Sequence, residues 1–273
     1  MSILIALTPA ESKRLIGKAV AIHPLVKKAM LQGNILVSGG TTTGYFVEEL
    51  LNASIEIQKF PSGVVTQGVL CQTPDDRIRS MFFKRGILQE NDTIISDFDE
   101  LENFLSHMTY EDVYIKGANA LDIEGNAGFL LAHPNGGNIM YSLPKVYAQG
   151  VHFIIPVGLE KFIPSVPNAQ RNMKGINQYN YTFGRGCGYV SVNNGIIMNE
   201  ITSLEMLTGV HATHVGSGGV GGSEGSVTLV IEGTEKQEQE TIKLLNEIKG
   251  EPPIQVWKKK CVDCTYKCKF RCK

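Results

Sequence analysis

The sequence has little of several things, and each shortage closes a class. No stretch of its 273 residues approaches the roughly 20 consecutive apolar residues that cross a bilayer, so a membrane-embedded chain is not expected. The opening Met1-Ser-Ile-Leu-Ile-Ala-Leu is too short for a secretory leader and meets Glu11, Lys13 and Arg14 too soon. Cysteine is sparse over most of the length. Cys71 and Cys187 are isolated while the other four crowd into the last thirteen residues, unlike the spread of a disulfide framework. These shortages predict a cytoplasmic protein. Net charge is small as well, at −1, but uneven. Residues 251–273 hold seven Lys or Arg against Glu251 and Asp263, a net of +5, which leaves −6 on the remainder. A mildly acidic body with one short basic tail is a poor footprint for nucleic acid.

What is there is ordinary in amount and specific in arrangement. With 42% apolar and 19% charged residues, the chain can bury a large core in one large or two small domains. Its organising stretch is residues 34–50, NILVSGGTTTGYFVEEL. Asn34 to Val37 form a short apolar run of the buried-strand kind. Small residues follow from Ser38 to Gly44, and then Phe46, Val47, Leu50 and Leu51 recur at helical spacing. Strand, loop and helix in that order leave N–H groups free at the helix start, where partial positive charge favours an anion. The loop lacks the later glycine of a dinucleotide fingerprint and the Gly-Lys-Ser/Thr ending of a Walker loop. A phosphate is therefore the expected occupant, with no nucleotide cofactor. A plain strand-to-helix turn that binds nothing is the competing reading.

Along the rest of the chain, Thr8-Pro9-Ala10-Glu11 predicts a capped helix start, and Pro24 starts a second helix that Gly33 ends. Ala53 to Phe60 and Gly63 to Leu70 read as strands, Thr73-Pro74-Asp75-Asp76 as a helix start, and Asp92 to Ser96 as a strand. A helix over 101–108, the strand Asp112–Lys116, a helical piece at 144–147 and the strand His152–Val157 follow. This alternation predicts an α/β fold: an open, mostly parallel sheet with helices on both faces, over residues 1–165. Residues 166–250 read as a small α+β subdomain and 251–273 as a basic, Cys-rich tail. Within the subdomain, Tyr189 to Met198 is expected to be a hairpin about Asn193-Asn194-Gly195, and Gly216 to Gly225 a glycine-rich loop suited to a closing lid.

Three segments together resemble a known superfamily, that of ribose-5-phosphate isomerase, glucosamine-6-phosphate deaminase and the coenzyme A transferases. SGGTTTGYFVEEL is similar to its Gly-Thr-Thr strand–loop–helix. DVYIKGANALDIEGNAG resembles the later Gly-Ala-Asp segment of its sugar-phosphate isomerases and initiation-factor-2B-like members, and HFIIPVGLEKFIP the strand ending in a lysine. The resemblance covers about residues 8–165. It implies a homo-oligomer whose Ser38, Gly39, Gly40, Thr41, Thr42 and Thr43 bind a phosphorylated sugar or related anion, with Lys116 and Asn119 beside them. It also implies a departure. Asn119 stands where the isomerases hold a catalytic aspartate and Lys116 where ribose-5-phosphate isomerase has an acid, and an amide cannot carry a proton between carbons. Proton transfer would then fall to Asp122, Glu124 and Lys161, with His133 nearby. Two readings stay open: an isomerase-like or transferase-like enzyme, and a non-catalytic ligand-binding regulator.

The remaining candidates carry less. Arg185-Gly-Cys187 suggests a substrate clamp or an inert thiol, His211 and His214 lack a third metal ligand, and Glu205 and Glu224 have no identifiable partner. Cys261-x2-Cys264-x3-Cys268-x3-Cys272 is a stronger signal. Four thiols within twelve residues can hold zinc or an iron–sulfur cluster, and on a helix they would share one face. Free thiols in a basic tail are the alternative.

Overall fold

The computed structural model describes residues 2–78, 80–88, 98–264 and 268. In chain order these form β1 (Ser2–Leu7), α1 (Pro9–Ile22), α2 (Pro24–Gln32), β2 (Asn34–Ser38), α3 (Thr41–Leu51), β3 (Gly63–Thr66), β4 (Val69–Gln72), β5 (Ser80–Lys84) and β6 (Ile87–Leu88). Then come α4 (Phe98–Ser106), β7 (Val113–Ile115), β8 (Ala120–Leu121), β9 (Ala127–Leu131), α5 (Gly137–Gln149), β10 (His152–Pro156) and α6 (Val166–Asn172). The last are β11 (Gly188–Val192), β12 (Ile196–Met198), α7 (Glu200–Thr208), β13 (His211–Ser217), β14 (Val227–Glu232) and α8 (Glu235–Ile248).

A mixed six-stranded sheet in the order β12-β10-β7-β2-β5-β6 is the centre of the fold. Its first four strands are mutually parallel, and β5 and β6 extend one edge antiparallel. Strand alternation divides the side chains cleanly between two faces. Ile35, Val37, Val113, Ile115 and Ile154 pack under Ile16, Val20, Val26 and Phe46 of α1–α3. Leu36, Phe82, Tyr114, Phe153 and Ile155 pack under Leu101, Leu105, Ile139 and Leu143 of α4 and α5. Helices therefore cover both faces, as the β/α alternation predicts. Among the described residues, no helix is long and apolar enough to cross a membrane.

Several elements begin where their sequence says. Thr8 and Glu11 close a reciprocal capping box at the start of α1, the Glu11 carboxylate accepting from the Thr8 N–H at 2.9 Å. Gly17 lets α1 lie against α3, since a Cβ there would meet Phe46 N and Tyr45 C at 2.9 Å.

Other expectations are corrected. Residues 73–78 form a turn leading into β5 instead of a helix, and Ile57–Lys59 is a single 3-10 turn where a strand is expected. β11 and β12 are not a hairpin. β11 pairs antiparallel with β9 and β12 parallel with β10, in different sheets. The two-residue hairpin turns need positive φ at the first central residue or at both, and Asn193 and Asn194 do not adopt it. Gln67-Gly68 and Arg85-Gly86 do, at φ of 53° and 73° and of 47° and 74°, and they close the β3–β4 and β5–β6 hairpins. The helix expected at 144–147 is longer, starting at Gly137 and running through Pro144. The strand expected at 92–96 lies outside the described residues.

A three-stranded antiparallel sheet, β1-β14-β13, carries α7 and α8. Its edge strand β1 comes from the start of the chain and matches β14 residue for residue from Ser2–Glu232 to Leu7–Val227.

Candidate functional site

The carboxyl ends of β2, β7, β10 and β12 line up along one edge, where open α/β sheets bind ligands. In the β2–β7 register Val37 faces Ile115, so the next pair along is Ser38 and Lys116. Ser38 is fully buried, its hydroxyl 3.1 Å from the phenol of Tyr114. On the other side it pairs with Ser80, whose hydroxyl accepts from the Asn138 amide at 2.8 Å. Asn138 belongs to the first turn of α5. The starts of α3 and α5 are thereby brought to the same corner, and each has a glycine pair at its start, Gly39-Gly40 just before α3 and Gly136-Gly137 across the first residue of α5. The backbone N–H groups of residues 39–43 and 137–140 have no acceptor among the described residues. Two helix starts with open donors thus meet beside Ser38, and Lys116 is the neighbour of Ser38 on the opposite strand.

Lys116 itself is half-buried, and its ammonium makes no hydrogen bond or ion pair among the described residues. Burial lowers its pKa to about 8. A cation taken from water without a partner is costly to hold, and functional sites are where such groups concentrate.

The loop residues divide by use. Thr43 is buried and commits its hydroxyl proton to the Ser38 and Gly40 carbonyls at 2.9 and 3.0 Å, so it locks the loop and has no proton left for a ligand. Thr42 is buried as well. Thr41 faces a separate cleft of about 200 Å³ between the starts of α1 and α3, lined also by Pro9, Lys13, Glu251 and Ile254. Lys116 does not line that cleft, and Lys13 is already paired with Glu160 at 3.1 Å. Ser38 does not line the cleft either.

The proposed proton-transfer groups sit in different settings. Asp122 is buried, which alone would raise its pKa, but N–H groups of Val166, Asn126 and Glu124 and the Asn126 amide donate to it and hold it low. It ties the 122–126 turn to the start of α6 and makes a poor base. Glu124 is exposed and accepts from the Asn126 amide at 3.3 Å. Asn119 turns its carbonyl oxygen to the Leu130 N–H at 3.0 Å, stitching β8 to β9. Lys161 donates to the Ala118 carbonyl at 3.0 Å, fastening the loop after β7, and burial lowers its pKa with Lys13 adding to the effect.

One carboxyl at this edge is absent from the sequence reading. Glu200, just past β12, is wholly buried and accepts from the Leu159 N–H at 2.9 Å through Oε2, while its Oε1 makes no hydrogen bond among the described residues. Burial raises its pKa, against the pull of that N–H donor. Reading β12 as a parallel strand would have marked it, because Glu200 stands at that strand's carboxyl end.

Elsewhere, His211 and His214 lie at odd spacing on β13 and face opposite ways, and His214 bonds the Gly216 carbonyl. Cys187 is buried, which raises its pKa, and Arg185 only moderates the shift, the pattern of an inert thiol. The glycine-rich loop is exposed, and its end at Gly225 lies against Glu160 and Pro9. Cys261 and Cys264 lie in or beside a short 3-10 turn, Cys268 is half-buried, and Cys272 lies outside the described residues. Among the described residues, no three His, Cys, Asp or Glu side chains are gathered as a ready metal site. No protein-family model and no curated protein matches this chain.

Proposed function

We propose that the chain binds a small phosphorylated sugar or related anionic metabolite at the edge formed by Ser38–Thr43, Lys116 and the start of α5. One observation carries this reading. Lys116 is a desolvated ammonium with no partner among the described residues and the strand neighbour of Ser38, and the two helix starts gathered at Ser38 have N–H groups that lack acceptors. An anion would supply the missing partner to all of them at once. The resemblance to the sugar-phosphate isomerase and coenzyme A transferase superfamily agrees with a phosphate at this loop, and with an assembly of like subunits.

Catalysis is a second reading, and Lys116 is what favours it. With a pKa of about 8, some of its side chain is neutral at physiological pH and able to accept a proton. That role passes to Lys116 because Asp122 is committed to backbone donors and Glu124 is exposed. Calorimetric titration of inorganic phosphate and a sugar-phosphate panel against wild type and Lys116→Met tests the binding. We expect saturable binding to wild type and at least about a tenfold loss in the variant, the worth of one charge-assisted contact. Equal binding to both, or to neither, would remove the proposal. Exchange of a substrate proton with deuterated solvent separates the enzyme from the binding protein.

A further inference from the structure

The ladder between β7 and β10 does not stop at Ile115. The Lys116 N–H donates to the Ile154 carbonyl at 3.2 Å and carries the pairing one residue further. Side chains two apart on a strand share a face. Tyr114 packs on the α4–α5 side of the sheet together with Leu36 and Phe82. Alternation therefore sets Lys116 toward that side, along with Ser38, two past Leu36, and Ser80, two before Phe82. The hydrogen bonds agree, since the Ser38 hydroxyl lies 3.1 Å from the Tyr114 phenol and the Asn138 amide of α5 reaches Ser80. A lysine amine, a buried hydroxyl pair and the open start of α5 thus share one face at the carboxyl edge of the sheet. Neighbouring strands lie only about 4.8 Å apart, so a phosphate held at Ser38 leaves the other end of a short ligand beside Lys116.

We propose that Lys116 forms an imine with the carbonyl of a short open-chain aldehyde phosphate, an inference that rests on the anion-binding role of this corner. The neutral amine nitrogen adds to the carbonyl carbon and gives a carbinolamine. Its oxygen then leaves as water, taking both amine protons, and a carbon–nitrogen double bond replaces the carbon–oxygen one. No oxidant, reductant or cofactor enters this step. Only the unprotonated amine can attack, and desolvation is a recognised way of making a lysine nucleophilic. Burial lowers the Lys116 pKa to about 8, so at neutral pH a larger share of it is free amine than of a lysine at the usual value of about 10.4. Once protonated, the imine draws electrons from the adjacent carbon and eases loss of its proton, a use for this lysine where Asn119 supplies no carboxylate. Cyclic sugar phosphates, whose carbonyl is masked in the ring, bind as anions without reacting.

The test uses the unmodified full-length chain at neutral pH, with glycolaldehyde phosphate and erythrose 4-phosphate as probes. Cyanoborohydride reduces any imine to a stable secondary amine, and peptide mass spectrometry locates the label. Lys116 should carry at least about tenfold more label than any other lysine, as its larger share of free amine requires. Inorganic phosphate in excess should suppress that label, and glycolaldehyde without its phosphate should not give it. Label spread evenly over the lysines would overturn the imine, as would a Lys116 label indifferent both to added phosphate and to the phosphate of the probe. Calorimetry of inorganic phosphate on the same protein separates the two failures. Saturable binding without a Lys116 label overturns the imine and leaves the anion site standing, whereas no binding removes both.

Discussion

At the scale of single residues, the difference between a functional and a structural polar group is whether its hydrogen bonds are already made. Asp122 and Lys116 look equally chemical in sequence. The fold surrounds Asp122 with donors and leaves Lys116 without an acceptor among the described residues. That distinction is set by long-range partners, such as Val166 for Asp122, and local sequence cannot carry it. The threonine run illustrates the same limit: its strand–loop–helix setting is legible, but the direction of each hydroxyl is not. Glu200 yields a prediction of its own. Its pKa is raised in the folded state, so its contribution to stability is present at low pH and is lost as pH rises through the folded value. Glu200→Gln keeps an acceptor for the Leu159 N–H but cannot ionise. Denaturant unfolding should show the variant gaining on wild type as pH rises above the ordinary glutamate range. A constant difference across pH would mean that Glu200 does not titrate as its burial implies.

At the scale of elements, the sequence was most informative where local chemistry decides the outcome. The Thr8 and Glu11 box, the apolar runs of β2, β7 and β10, and the helical spacing after Thr41 all give the element observed. It was least informative where two conformations share a pattern. Asn193-Asn194-Gly195 has hairpin composition, yet β12 is drawn to β10 by burial of Ile196 and Met198 beside Ile154 and Pro156. Reading that strand as half of a hairpin, without its parallel partner β10, also hid Glu200. Gly137, the start of α5, was missed because its glycine pair reads as loop, although Gly39-Gly40 carries the same signature before α3. Helix α1 gives a direct test of packing. An alanine normally favours a helix interior over glycine by about 1 kcal/mol. At Gly17 the added Cβ would press on the α3 backbone at 2.9 Å, which neither helix can relieve without moving. We expect Gly17→Ala to destabilise the protein by about 1–3 kcal/mol in chemical denaturation. A neutral or stabilising result would mean that the α1–α3 contact is looser than described.

At the scale of the whole molecule, the chain is closed by its ends. β1 adds to β14, and the core that begins under Leu36 and Tyr114 of the large sheet continues through Leu229 and Ile231 to Leu245 and Ile248 of α8. Arg14 of α1 adds a polar tie, reaching Glu48 and Glu49 as well as Glu251 beyond α8, at 2.9 to 3.1 Å. The division at residue 165 follows chain order, while the core runs across it. Pairing between strands more than two hundred residues apart leaves no local trace in sequence, so the β/α alternation was legible and this closure was not. Calorimetry should accordingly show one cooperative transition with equal calorimetric and van't Hoff enthalpies. Two resolved transitions, one of them lost on deleting residues 166–273, would contradict a shared core.

The account turns on Lys116, and its ammonium can be observed directly. Lysine-labelled protein, with the resonance assigned by Lys116→Arg, should be titrated by NMR with and without a saturating sugar phosphate. Without ligand the group should lose its proton near pH 8, well below the usual lysine value of about 10.4. A bound anion favours the charged form, so the ligand should move that midpoint upward, and by linkage its affinity should fall as pH rises beyond 8. A lysine that titrates at its ordinary value and does not respond to any sugar phosphate would contradict the account.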